Sequence, residues 1–235
     1  MGLVMMKPSG PASTAGTLRT TIFRKGRLTL ARVNRIAREL ASAAVEDEPP
    51  FLIRKIDVVE RMIEADNIII VQTETGATAA FGAFHEPEII SPKSGLVTVY
   101  VGGVLVDPRR KRRGICRHLL AFAAENADVV IGFSQNPRIL AAFRSMFFTW
   151  PSEDNAPLKP EFAADLQGYL RSIGRASSFD TASGVVTHLY EHDLYRANAN
   201  FHPLGTSGDG LLLLGFTSST AYAAAVDQGV KEATR

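Results

Sequence analysis

A dense run of basic residues is the feature of this sequence with the clearest chemical potential. Residues 109–117 include six Lys or Arg, with Gly114 among them, and apolar residues at helical spacing follow from Ile115. The N–H groups at a helix start carry about half a unit of positive charge. Together with nearby cations they can bind a phosphate. The segment therefore predicts a phosphate or pyrophosphate site at the start of a helix.

A buried strand must hold this segment in place. Val97–Val106 is rich in Val, and its first half alternates Val with Thr and Tyr. Gly102 and Gly103 interrupt the strand, and paired glycines predict a bulge where backbone groups become available to a ligand. Pro108 then ends the strand. The expected order is strand, basic turn and helix.

This order resembles the acyl-CoA-binding core of the GNAT superfamily of N-acetyltransferases. The family signature is Gln or Arg, two residues, Gly, one residue, and then Gly or Ala. The matching positions are Lys111, Arg112, Arg113, Gly114, Ile115 and Cys116. Lys111 departs from the signature but keeps a hydrogen-bond donor, whereas Cys116 places a larger side chain beside the pyrophosphate.

The order of the other predicted elements agrees with the resemblance. The sequence predicts a strand at Leu18–Arg24 and a helix capped by Thr29. It also predicts a second helix that buries Leu52, Ile56, Val59 and Ile63 on one side. A hairpin at residues 68–84 follows. The resemblance implies an α/β fold, with a mixed, mostly antiparallel central sheet flanked by helices and a C-terminal α+β extension.

The resemblance also implies a cosubstrate and the residues that bind it. Acetyl-CoA, or another acyl-CoA, is the expected cosubstrate, and no metal is expected. The bulged strand would hold the pantetheine arm and the basic turn would hold the pyrophosphate, while an Asn after the central strand at residues 129–133 matches a further family position. The expected cofactor-binding residues are Val104, Leu105, Val106, Lys111, Arg112, Arg113, Gly114, Ile115, Cys116, Arg117 and Asn136.

Amide formation from a thioester needs a neutral amine, a stabilised oxyanion and a leaving thiolate. The resemblance implies direct attack in a ternary complex, with a backbone N–H near Val104 facing the thioester oxygen. Candidate general bases are Tyr100, His85 and Glu86, although Tyr100 also fits strand packing and the other two fit a polar surface. Phe143 stands where the family usually has a Tyr that acts as general acid, so this role is not carried over. The alternative interpretation of Phe143 is that it packs in the core.

Cys116 leads to a separate prediction. The helix dipole and the neighbouring arginines favour a thiolate, so Cys116 is expected to be more acidic than a free thiol and to alkylate quickly. No pattern of His and Asp marks it as a catalytic nucleophile. It is the one cysteine of the chain, which excludes an internal disulfide and fits a reducing compartment.

Shifts in composition divide the chain into three parts. Residues 1–17 are rich in Gly, Pro, Ser and Thr and are expected to be flexible. Residues 18–150 are the expected GNAT-like core. Residues 151–235 form a C-terminal extension that is expected to complete the sheet or cover the acceptor site.

The C-terminal extension carries weaker signals. It predicts a helix at about residues 161–173 and strands at residues 184–190 and 211–216, of which the first is a candidate for the last strand of the family. Tyr195 and His202 are expected to contribute to the acceptor site, with a structural cap or an oligomer contact as the alternative.

A histidine pair in this extension also needs an interpretation. His188, Glu191 and His192 match a zinc-peptidase pattern that requires a helix. The preceding Val residues favour a strand, on which the two His would lie about 13 Å apart. They could not share a metal at that distance, so no zinc site is predicted.

Composition limits the partners. The 235 residues carry a net charge of +2, and much of the basic excess lies in the basic turn, so attraction to nucleic acid is not implied. An enzyme acting on a nucleobase or a protein, a non-catalytic CoA- or nucleotide-binding module, and a homodimer remain open alternatives. No apolar run is long enough for a membrane span and no secretory signal pattern is present, so a cytoplasmic location is expected.

Overall fold

The chain folds as two compact units. Unit 1 consists of Met1–Glu86 and Val101–Phe122, and unit 2 of Pro87–Tyr100 and Ala123–Arg235. The computed structural model describes residues 3–5, 17–46, 53–152, 156–175, 179–187, 189 and 208–227. No helix in these described segments is both long and apolar enough to cross a membrane.

Six α-helices and ten strands are present in the described residues. The helices are α1 (Leu30–Val45), α2 (Lys55–Glu64), α3 (Ile115–Ala124), α4 (Pro137–Met146), α5 (Pro160–Ser172) and α6 (Ser219–Ala225). The strands are β1 (Leu3–Met5), β2 (Leu18–Arg24), β3 (Asn67–Thr73), β4 (Thr78–Phe84), β5 (Glu88–Ile89), β6 (Val97–Val106), β7 (Val129–Ser134), β8 (Phe148–Trp150), β9 (Val185–Val186) and β10 (Gly210–Phe216).

Unit 1 is built on an antiparallel sheet with the strand order β1, β2, β3, β4 and the second half of β6. Helix α1 begins after Thr29, whose Oγ1 accepts a hydrogen bond from the Arg32 N–H at 3.4 Å, as the sequence predicts. Helices α1 and α2 bury one face each in a hydrophobic cluster that includes Ile36 and Phe81. Leu105 of β6 joins the same cluster, so the core of unit 1 anchors this half of the strand.

The strands of unit 2 are arranged around β10. Strand β10 lies between β7 and β8 and is antiparallel to both, and β9 pairs with its first residues. The hydrophobic cluster of this unit includes Tyr100, Trp150 and Phe216. The first half of β6 belongs to unit 2, where the Asp128 N–H donates to the Val97 carbonyl at 2.7 Å. Strands β6 and β7 therefore start side by side, as expected for two strands joined by a crossover helix.

These pairings confirm the predicted fold class. The strand pairs are mostly antiparallel, helices flank the strands, and α5, β9, β10 and α6 form the C-terminal α+β extension. The predicted helix near residue 161 is α5, and the predicted strand at residues 211–216 is β10. The division of the chain at residues 17 and 150 stays a prediction.

The prediction for the buried face of α2 was correct for Val59 and wrong for Ile56 and Ile63, while Leu52 lies outside the described residues. Ile56 and Ile63 are 51% and 52% exposed, whereas Val58, Val59 and Met62 are buried. Apolar residues occupy much of the circumference of α2, so spacing alone does not identify the side that packs.

The candidate at residues 184–190 for the last strand was also wrong. In the described part of this segment, only Val185–Val186 forms a strand, and it pairs with β10. Strand β10 instead lies along β7, from Leu211 opposite Ser134 to Phe216 opposite Val129. Strand pairing depends on partners that are distant in the chain, which a short apolar run does not identify.

Several predictions for the C-terminal extension fall outside the described residues. Tyr195 and His202, proposed for the acceptor side, are among them, as are His188, Glu191 and His192. The acceptor-site role of Tyr195 and His202 stays a prediction, and so does the expectation that the other three residues form no zinc site.

Candidate functional site

A bulge in β6 is the first part of the candidate site. Strand β6 pairs with β4, with Gly103 opposite Ala83 and Val101 opposite Phe84. Gly102 is therefore an extra residue that has no opposite residue in the ladder. The bulge predicted from the paired glycines is confirmed.

The hydrogen bonds beside β6 identify the backbone groups that face away from β4. The Asp107 N–H donates to the Ala79 carbonyl at 2.9 Å, so Asp107 is a hydrogen-bonded position of this pair. Bonded and non-bonded positions alternate along antiparallel strands. Val104 and Val106 therefore direct their N–H and C=O groups to the edge opposite β4. Leu105, between them, has its side chain in the core.

Asp107 organises the start of the basic loop, which we define as residues 108–114. Its buried carboxylate accepts hydrogen bonds from the Arg109 N–H at 3.0 Å and from the Arg109 guanidinium at 2.9 and 3.0 Å. These bonds stabilise the protonated guanidinium and raise the pKa of Arg109 above its usual value. The side chain of Arg109 therefore supports the shape of the loop, rather than serving as a contact for an external anion.

Two residues of the basic loop have a left-handed backbone. The φ angle is 62° at Arg112 and 74° at Gly114. For an L-residue such as Arg this conformation costs about 1 kcal/mol, and strain of this kind concentrates at functional sites. A Cβ at Gly114 would meet no atom within 4 Å. Glycine therefore suits position 114 because of the backbone conformation and not because of crowding.

Helix α3 begins directly after the loop with unused donors. Its first ladder hydrogen bond runs from the His118 N–H to the Gly114 carbonyl at 2.9 Å. The N–H groups of Ile115, Cys116 and Arg117 precede that bond and donate to no acceptor among the described residues. The residues just before the helix are exposed. The N–H donors and the dipole of α3 thus lie beside the cations of the basic loop, which is the arrangement that an anion site requires. Their role in binding a pyrophosphate stays a prediction.

The prediction of an acidic Cys116 was wrong. The side chain is half-buried in the first turn of α3. Burial raises the pKa of its thiol to about 11, which outweighs the opposite effect of Arg117. The sequence shows the basic neighbours of Cys116 but not its burial, and burial decides the sign of the shift.

His85 is the base candidate that the structure places beside the bulge. It directly follows β4, and its Nδ1 lies 3.6 Å from Oδ2 of Asp66. A Cβ at Gly102 would lie 3.5 Å from Nε2 of His85, so the other side of the ring faces the bulge. Asp66 is held in turn by the Glu86 N–H, which donates to its Oδ2 at 3.1 Å.

The other two base candidates have different surroundings. Glu86 forms an ion pair with Arg24 and accepts a hydrogen bond from Nδ2 of Asn67 at 3.3 Å. Tyr100 belongs to unit 2, is 2% exposed, and has its ring centroid 6.1 Å from that of Phe133. Packing accounts for the position of Tyr100. The catalytic roles of all three residues stay predictions.

Asn136 also belongs to unit 2, where it caps α4. Its Oδ1 accepts a hydrogen bond from the Arg138 N–H at 2.9 Å, and its own N–H donates to Oγ of Ser134 at 2.8 Å. Pro137 occupies the first helical position, where no N–H is needed. Phe143 of the same helix is 1% exposed, which confirms core packing for this residue. Contact between Asn136 and a cofactor stays a prediction.

Sequence reasoning missed three charged residues of unit 1 that shape this site: Asp107, Asp66 and Arg61. Arg61 of α2 donates from its guanidinium to the Gly102 carbonyl. A local signal for Asp107 was present, because Asp before Pro favours a turn. Arg61 lies 41 positions from Gly102 in the chain and Asp66 approaches His85 through the fold, so neither had a local signal.

Solved structures that are similar to this chain are acyltransferases. Naa20 of Chaetomium thermophilum in complex with a bisubstrate analogue has 14% identity and a TM-score of 0.49, over 88% of this chain and 92% of that chain. The ribosomal-protein-S18-alanine N-acetyltransferase of Escherichia coli has 14% identity and a TM-score of 0.43, over 85% and 94%. An acyl-CoA N-acyltransferase of Pseudomonas aeruginosa has 17% identity and a TM-score of 0.40, over 55% and 88%.

All three structures have identities below 20% and TM-scores below 0.5, so membership of the GNAT superfamily stays a prediction from the sequence. No protein-family model and no curated protein sequence matches the chain. Identities below 20% and TM-scores below 0.5 are no evidence of a shared activity. The bulge, the basic loop and the helix start of this chain are therefore the features from which a function can be inferred.

Proposed function

We propose that the protein transfers an acetyl or another short acyl group from acyl-CoA to an amine acceptor. A neutral amine would attack the thioester carbonyl in a ternary complex, which forms a C–N bond. The C–S bond then breaks and CoA leaves as a thiolate. The proton released by the amine goes to a general base.

The observation that carries this proposal is the basic loop followed by the unused N–H groups of α3. A pyrophosphate has several anionic oxygens and needs several donors arranged around one point. Two left-handed residues, Arg112 and Gly114, shape the backbone before the N–H groups of Ile115, Cys116 and Arg117. An ordinary surface helix would have no reason to keep the strained conformation of Arg112.

The edge of β6 that faces away from β4 supports the second half of the proposal. The N–H and C=O groups of Val104 and Val106 lie on this edge, and pantetheine carries two amides that can pair with such groups. The Val104 N–H would then donate to the thioester oxygen, as a preorganised donor for the developing oxyanion.

His85 is the general base that the contacts favour. A carboxylate near one ring nitrogen of a His fixes the orientation of the ring. Asp66 is placed to do this at Nδ1, which leaves the Nε2 side toward Gly102. Glu86, by contrast, is engaged by Arg24 and Asn67, and Tyr100 is buried in the core of unit 2.

A second candidate function is a CoA-binding module without catalysis. The observation that favours it is Phe143, which is buried and has no hydroxyl at the position where the resemblance implies a general acid. Such a module would keep the bulge and the basic loop but would not break the thioester.

Two measurements on the full chain test these functions. Calorimetry should show binding of acetyl-CoA with a dissociation constant between about 1 μM and 1 mM, the range common for enzyme substrates. Release of CoA thiol from acetyl-CoA should then increase when a panel of primary amines is added. Failure to bind acetyl-CoA contradicts both functions, whereas binding without thiol release for any amine, including peptide N-termini and polyamines, favours the non-catalytic module.

A further inference from the structure

We infer that Arg61 is a positioning residue for acyl transfer, acting through the carbonyl of the bulge residue Gly102. This inference rests on the proposed function. Arg61 lies on the outer part of the buried face of α2, where its side chain is half-buried, and its guanidinium donates to the Gly102 carbonyl. The bond joins α2 to the one residue of β6 that has no opposite residue in the ladder with β4.

The Gly102 carbonyl lies beside the donor assigned to the thioester. The Gly103 N–H faces β4 in the alternating pattern of the ladder, and the C=O of the same trans peptide points the opposite way. The Val104 N–H also points away from β4. The edge of the bulge therefore presents an acceptor, the Gly102 carbonyl, next to a donor, the Val104 N–H.

Arg61 neutralises the Gly102 carbonyl, which would otherwise oppose the effect of the Val104 N–H on the thioester oxygen. A bare Gly102 carbonyl would place its negative end beside the thioester oxygen, which gains negative charge in the transition state. The Arg61 guanidinium donates a hydrogen bond to that carbonyl and adds a positive charge nearby, so the local electrostatic potential favours the oxyanion. The same bond fixes the peptide between Gly102 and Gly103, which holds the direction of the Val104 N–H.

The two glycines of the bulge differ in their relation to Arg61. A Cβ at Gly103 would lie 2.9 Å from Cδ of Arg61, which is too close for the present position of this side chain. A Cβ at Gly102 would have His85 Nε2 as its nearest atom, at an ordinary 3.5 Å. Neither glycine has a positive φ. Gly103→Ala is therefore a second way to displace Arg61 without replacing the arginine itself.

The test compares the affinities of the full chain for acetyl-CoA and for CoA by calorimetry. Wild type should prefer acetyl-CoA by about three- to tenfold, the worth of one hydrogen bond to the thioester oxygen. Arg61→Met and Gly103→Ala should lower this ratio to about one without changing the affinity for CoA. Arg61→Lys, which keeps a donor, should restore part of the ratio.

Turnover gives the second readout. With an amine that supports thiol release, Arg61→Met should lower kcat about 10- to 100-fold and leave the KM for acetyl-CoA within a factor of about three, because a misplaced oxyanion donor acts mainly in the transition state. Lys55→Met, on the exposed side of α2, is the control for changes in the helix surface. Thermal unfolding confirms that each variant is folded.

Each outcome decides the inference. An unchanged ratio in folded Arg61→Met and Gly103→Ala overturns it. Equal weakening of CoA and acetyl-CoA also overturns it, because Arg61 would then serve binding in general. If wild type binds neither compound, the proposed function fails first, and the inference falls with it.

Discussion

Two segments of this molecule have the same order of strand, turn and helix. They differ in whether the first N–H groups of the helix have acceptors within the protein. In unit 1, β6 leads through the basic loop to α3, whose first N–H groups have no acceptor among the described residues. In unit 2, β7 leads to α4, where Asn136 accepts a hydrogen bond from the Arg138 N–H and Pro137 removes one donor. The first helix start can bind an anion, whereas the second is already satisfied within the protein.

This difference shows that a helix dipole alone does not define an anion site. Both helices have ten residues and therefore similar dipoles. What distinguishes α3 is the left-handed loop before it and the lack of a satisfied N-terminus. The predictions below test whether this distinction controls binding.

Replacing Gly114 with Asp should have the largest effect. Asp and Asn both tolerate the left-handed conformation and have the same shape, and position 114 is open to a side chain. Gly114→Asp places a negative charge at the helix start and should weaken acetyl-CoA binding by about a hundredfold or more. Gly114→Asn, the matched neutral control, should weaken it by no more than about fivefold. Equal affinities of the two variants in calorimetry would show that no anion binds at this helix start.

The alkylation rate of Cys116 tests whether burial or the nearby arginines control the pKa of its thiol. Burial raises the pKa of this thiol from the ordinary value of 9.0 to about 11, so at pH 8 its thiolate should be about a hundredfold scarcer than in an exposed thiol. Labelling with iodoacetamide, followed by mass spectrometry, should be correspondingly slow and should rise with pH up to about 11. Chain unfolded in guanidinium chloride is the control and should label quickly. Fast labelling of the folded chain at pH 8 would place Cys116 within the field of the arginines.

Replacing Asn136 should lower stability and separate its capping role from the predicted contact with a cofactor. Asn136→Ala removes the cap of α4 and should lower the free energy of unfolding by about 1 kcal/mol in urea denaturation. Asn136→Ser keeps a capping oxygen and should stay near wild type. If capping is the whole role of Asn136, the affinity for acetyl-CoA will be unchanged in both variants. A loss of affinity above tenfold in both would instead support the cofactor contact that the family resemblance implies for Asn136.

Local chemistry explains which parts of the fold and site were predictable. The strand β6, its bulge and the start of α3 follow from Val alternation, paired glycines and a glycine within a basic run, all within twenty residues or so. The buried face of α2 and the strand that lies beside β7 depend on what packs against them. Arg61 and Asp66 reach the bulge region only through the fold. The pKa shift of Cys116 also has the opposite sign from the prediction, because the burial of this side chain depends on the fold.

The bidentate contact between Asp107 and Arg109 has a consequence for how the basic loop can change by mutation. Because this pair, with the left-handed backbone at Arg112 and Gly114, sets the course of the chain, the loop does not depend on the identity of every cation. Exchanges between Lys and Arg on the exposed loop residues should be close to neutral for the loop conformation. The pair of Asp107 and Arg109 should tolerate far less, so a library of loop variants selected for folding and CoA binding should be diverse at the exposed cations and nearly invariant at this pair.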